Sequence, residues 1–114
     1  MKLVQDSITL AELEKMSEKM FGKIVKAVVD IEQGIMVVDA DMHVDQEAFL
    51  LENGFEQAHL WGINLHPDKV GSSDFIEFDS MVNIRPGQGN MGRGVYDPAR
   101  QAKIRSIVTK LVQL

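Results

Sequence analysis

Apolar positions recur at two different periods along this chain, and the changes of period mark out its elements. Leu10, Leu13, Met16 and Met20 lie three and four residues apart, the spacing of one helical face. Thr9 and Glu12 precede them as a capping-box pair, and Gly22 supplies a stop, so a helix is predicted over 9–21. Residues 2–5 are read as a short strand ahead of it. The β-branched run 24–31, the turn dipeptide Gln33-Gly34 and the apolar segment 35–38 predict a hairpin. Asp45 is expected to cap a short helix over Gln46–Asn53, closed by Gly54. Segments 59–66 and 75–84 read as a second hairpin joined through Pro67–Asp74. In the latter strand Ile76, Phe78, Val82 and Ile84 alternate with Glu77, Asp79, Asn83 and Arg85.

Residues 85–96 carry Gly87, Gly89, Gly92 and Gly94 and read as a loop. Asp97-Pro98 then opens a helix, with Pro where its missing N–H is harmless. Ile104, Ile107, Val108 and Leu111 give that helix its apolar stripe. The order α-ββ-α-ββ-α predicts an α+β fold with an antiparallel four- or five-stranded sheet and helices packed mainly on one face. Residues 1–114 are expected to form a single domain.

Composition narrows the class. With 114 residues, 45% of them hydrophobic, there is material for one core but not for two. The absence of cysteine excludes disulfides, thiolate metal sites and thiol nucleophiles. No apolar run approaches the roughly 20 residues of a membrane helix, and the start, with one Lys and an early Asp6, does not read as a signal peptide. A cytoplasmic setting with no membrane partner is expected. The formal charge of −5 conceals a division: residues 85–114 hold six basic side chains against Asp97 alone, leaving 6 basic and 16 acidic residues in 1–84.

Several strings carry a resemblance. Met20-Phe21-Gly22, Lys26-Ala27-Val28-Val29-Asp30, Leu60-Trp61-Gly62-Ile63-Asn64-Leu65 and Asp79-Ser80-Met81-Val82-Asn83-Ile84-Arg85-Pro86, running into Gln88-Gly89-Asn90, resemble a family of short prokaryotic single-domain proteins of unknown function. The resemblance implies a stand-alone prokaryotic domain and assigns no catalytic role to any residue.

Three constellations are chemically suggestive. Glu77, Asp79, Asn83 and Arg85 share one face of the 75–84 strand, and Asn64 and His66 join them if the sheet is covered on one side only. Such a face could orient a small polar ligand, or it is an ordinary solvated face held by cross-strand charge pairs. The glycine-rich segment contributes Gln88, Asn90 and Arg93, with Arg85 and Arg93 able to clamp an anion bidentately. Its spacing matches neither a P-loop nor a dinucleotide fingerprint, and flexibility is the competing explanation of its glycines. Asp39, Asp41 and His43 would point one way if the preceding strand continued, a donor set suited to a divalent ion. They do not form an EF-hand, since Val44 and Leu50 occupy the positions of its Gly and Glu.

No serine lies in a nucleophile elbow, and no cofactor is implied. The sequence therefore favours a non-catalytic binding or protein-interaction module, with a homodimer, another protein or a small anionic ligand as partner. A small enzyme acting on a polar anionic metabolite, with Arg85 and Asn83 orienting it and Asp79 or Glu77 as acid–base group, is the alternative. Nucleic-acid contact through Arg93, Arg100, Lys103 and Arg105 is disfavoured by the acidic body.

Overall fold

A computed structural model describes residues 1–114. Five strands form one antiparallel sheet: β1 (Lys2–Val4), β3 (Val25–Asp30), β4 (Ile35–Val38), β5 (Leu60–Leu65) and β6 (Ile76–Glu77), in the order β1-β4-β3-β5-β6. A two-residue parallel pair, β2 (Ile8–Thr9) with β7 (Val112–Gln113), ties the two ends of the chain together. The helices are α1 (Leu10–Ser17), α2 (His43–Glu52) and α3 (Pro98–Leu111). None is long and apolar enough to cross a membrane. The fold is α+β, as the pattern predicts.

Local chemistry accounts for the elements. Thr9 and Glu12 form the reciprocal capping box, at 3.1 Å from the Glu12 N–H to Thr9 Oγ1 and 2.9 Å from the Thr9 N–H to Glu12 Oε2. A 3-10 turn extends α1 to Met20, where Phe21 and Gly22, both left-handed, end it. Asp30 builds the β3–β4 turn, its Oδ1 accepting from the Glu32 and Gln33 N–H groups, each at 2.9 Å. Asp97 caps α3 through the Ala99 N–H, with Pro98 in the first turn.

The sheet is buried on both sides. Val25, Ala27, Val29, Met36, Val38, Trp61, Ile63 and Leu65 pack with Leu13 of α1 and Ile104, Val108 and Leu111 of α3. Val28, Ile35, Val37 and Leu60 turn the other way and pack with Leu50 and Phe49 of α2. Two helices therefore share one face and the third occupies the opposite one, so the condition that the sheet be covered on one side only is not met. The uninterrupted apolar run of β4 is the signature of a strand covered on both faces.

Two further expectations are corrected. The second helix starts at His43 rather than after Asp45, so Asp45 lies within its first turn and is no cap. The strand expected over 75–84 ends at Glu77; Ser80 then caps a 3-10 turn over Met81–Asn83. The alternation in that segment is broken by burial, with Asn83 fully buried and Ile84 39% exposed.

Candidate functional site

On the α2 side of the sheet, β3 and β5 set Lys26 directly opposite Asn64, and Asn64 opposite Glu77 of β6. This polar end of an otherwise apolar face is the floor of a cavity of about 170 Å³. One wall is the beginning of α2, Met42, His43 and Val44; the other is Asp79–Val82 with Arg93. Gly62 makes the closeness of that second wall possible. A Cβ there would stand 2.6 Å from both Cβ and Oγ of Ser80 and 2.9 Å from Val82.

The cavity combines fixed and unsatisfied groups. Arg93 Nε donates to Asp79 Oδ1 at 2.6 Å, and this bond holds the exposed guanidinium above its ordinary pKa. Asn64 donates through Nδ2 to Glu77 Oε1 at 2.9 Å and to the Asp79 carbonyl at 3.1 Å, while its buried Oδ1 has no partner. His43 Nε2 lies 2.7 Å from the Ile63 carbonyl. A carbonyl only accepts, so Nε2 carries the proton and Nδ1 keeps a lone pair. Burial, the largest influence, holds the pKa of His43 below 6.5 despite that carbonyl. Lys26 takes part in no ion pair.

The first turn of α2 adds a distributed charge. Capping side chains serve α1 and α3, but the residue before α2 is Met42, and no side chain accepts from the N–H groups of its opening turn. Those groups and the helix dipole carry about half a positive charge beside Lys26 and Arg93, in a turn that also holds the Asp45 carboxylate.

The residues singled out in the sequence divide into two groups. Asn64, Asp79 and Arg93 line the cavity; Glu77 adjoins it through its bond to Asn64 and also meets His66, outside the lining, at 3.3 Å. Asn83, Arg85, Gln88 and Asn90 do not line it. Asn83 is engaged with Gly62 and the Arg93 carbonyl. Arg85 lies over the Trp61 ring, 4.1 Å from its centroid, and donates to the carbonyls of Gln57, Leu60 and Val82. Gln88 bonds the Ala58 carbonyl and Asn90 those of Asn83, Gly92 and Gly94. The glycine segment is pinned, and a side chain at Gly92 or Gly94 would collide with the ring of Tyr96.

The third constellation disperses. The strand stops at Val38, and Asp39 turns left-handed at φ 67° to meet Lys19 at 3.0 Å, so Asp39, Asp41 and His43 do not align at period two. No group of three His, Cys, Asp or Glu side chains is placed to hold a metal ion. Asp39 and Asp41 instead line a larger concavity of about 560 Å³, with Met16, Met20 and Phe49 among its walls and no unsatisfied buried group. Of the basic residues considered for nucleic acid, Arg93 is paired with Asp79. Arg100 stacks on Trp61 at 4.3 Å and Arg105 on Phe78 at 5.0 Å.

A model of a family described as a protein of unknown function, DUF5674, matches residues 2–111. The chain belongs to the DUF5674 family. No curated protein and no solved structure matches it. In this DUF5674 chain the sequence reading missed Lys26 and Ser80 as site residues, and it considered His43 as a metal ligand or as a structural or surface residue rather than a general base. Lys26 did leave a signal, as the single charge inside the apolar run 24–29. His43 left none, because its role depends on a carbonyl 20 residues away.

Proposed function

We propose that the protein is a single-domain, cytoplasmic binding module that holds the anionic group of a small metabolite between the start of α2, Lys26 and Arg93. The observation that carries this reading is the helix without a cap. The opening N–H groups of α2 have no side-chain acceptor, and they border the same cavity as two cationic side chains. Arg93 is anchored through Nε, leaving its two terminal nitrogens for a ligand. The Lys26 ammonium has no ion-pair partner. A volume of about 170 Å³ suits a molecule well below drug size.

The test is a titration with acetate and with inorganic phosphate, followed through the backbone amide resonances of His43 and Val44. Both should shift saturably, with affinity that weakens as salt rises. In Lys26→Met the affinity should fall at least tenfold while the melting temperature stays within about 2 °C, since the ammonium has no structural partner. Unmoved His43 and Val44 resonances at high anion concentration would remove the reading.

A further inference from the structure

Building on this anion-binding reading, we infer that the ligand also carries a hydrogen-bond donor received by Asn64, which makes small amino-carboxylates the class the cavity takes. Asn64 is only 6% exposed, and its Oδ1 is without a partner. Exchanging oxygen and nitrogen would not repair this, because Oδ1 would then face the Glu77 carboxylate and the Asp79 carbonyl, both acceptors. The amide is therefore locked with its nitrogen toward Glu77 and Asp79 and its oxygen away from both. Buried side-chain acceptors are mostly satisfied, and Asn64 lines the cavity, so a donor that enters it can complete Oδ1. Met42 and Met81, 54% and 65% exposed, line the same cavity, and such pliable side chains can shift to admit a ligand to Oδ1.

The charges agree with this class. Arg93 and Asp79 are held side by side, so beside Lys26 the cavity also presents an adjacent cation and anion. A simple carboxylate matches only the cation. An amino-carboxylate matches both, its carboxylate toward Arg93, Lys26 and α2, its ammonium toward Asp79 and Asn64 Oδ1.

Matched pairs test the idea: glycine against acetate and β-alanine against propionate, titrated at one ionic strength and followed by the His43 and Val44 amides and the Asn64 side-chain amide. In at least one pair the amino member should bind tenfold or more tighter, and it alone should shift the Asn64 amide. In Asn64→Leu that ratio should collapse toward one while the carboxylate still binds. Equal affinities within both pairs would overturn this inference and leave the anion site standing. Silence from every compound would overturn both. If Asn64→Leu does not fold, the wild-type ratio and the Asn64 amide shift decide the matter alone.

Discussion

The side chain of Asn83 holds Gly62 as the backbone of a neighbouring strand would. Its Oδ1 accepts the Gly62 N–H at 2.8 Å and its Nδ2 donates to the Gly62 carbonyl at 2.9 Å. β6 has already ended at Glu77, so this one carboxamide continues the ladder along the edge of β5. The same Nδ2 reaches the Arg93 carbonyl at 3.0 Å, and Asn90 secures the Asn83 carbonyl at 2.7 Å. Two buried asparagines thus fix the segment that brings Arg93 to the cavity.

Replacing Asn83 by Ala should leave both backbone groups of Gly62 buried without partners. A loss of about 3 kcal/mol is expected from such orphaned groups, read as a fall of about 10 °C in melting temperature for a domain of this size. A fall of less than about 3 °C would mean that water or a shifted strand replaces the amide.

Gly62 and Gly87 should respond oppositely to alanine. At Gly62 the new methyl group meets Ser80 and Val82 within 2.9 Å, an overpacking expected to cost about 2 kcal/mol. At Gly87 nothing lies within 4 Å, and the substitution should be neutral or stabilise by roughly 0.5 kcal/mol through the unfolded chain. Chemical denaturation of the two variants side by side checks the contrast. Equal effects would show that the wall over Gly62 yields easily.

The helices and the first hairpin were legible in the sequence because their determinants are local. Thr9 with Glu12, Gln33-Gly34, and Asp97-Pro98 each specify a cap or turn within a few residues. The segment 75–84 misled because its alternation imitates a strand, whereas Asn83 is buried by bonds to Gly62, 21 residues earlier. Polar residues of the glycine segment were candidates for a ligand, but sequence could not distinguish donors satisfied by carbonyls from donors left for a ligand. Of the residues lining the cavity, Asn64, Asp79 and Arg93 were among the sequence's ligand-site candidates. Lys26 stood out only as a charge within an apolar run, and its place beside Ser80 and the start of α2 emerges only when β3 and β5 pair and α2 crosses the second face.

Arg85 is expected to be structural. Burial lowers its pKa, nearby Arg100 adds to that, and three main-chain carbonyls beside the Trp61 face satisfy its guanidinium. Arg85→Ala should destabilise by about 3 kcal/mol, combining unpaired carbonyls with lost stacking. Arg85→Lys should recover less than half of that, because an ammonium cannot reproduce the planar fork. Urea unfolding measures both variants. A stable Arg85→Ala protein that no longer responds to acetate or phosphate would instead return Arg85 to the binding site.

His43 links the cavity to pH. Its folded-state pKa lies below 6.5, chiefly because burial disfavours the imidazolium. Between that lowered value and the unfolded value near 6.5, the unfolded chain binds a proton that the folded protein does not. The stabilising contribution is therefore complete above about pH 6.5 and is lost as pH falls below it, at no more than about 1.4 kcal/mol per pH unit. His43→Gln retains a donor for the Ile63 carbonyl and does not titrate. Melting temperatures of wild type and His43→Gln, measured from pH 7.5 to 5.0, should diverge below pH 6.5, with the wild type falling more steeply. Anion affinity should move the other way, since any His43 protonated in the complex adds a positive charge to the cavity. Parallel melting curves for the two proteins would show that His43 takes up its proton in the folded state as readily as in the unfolded one.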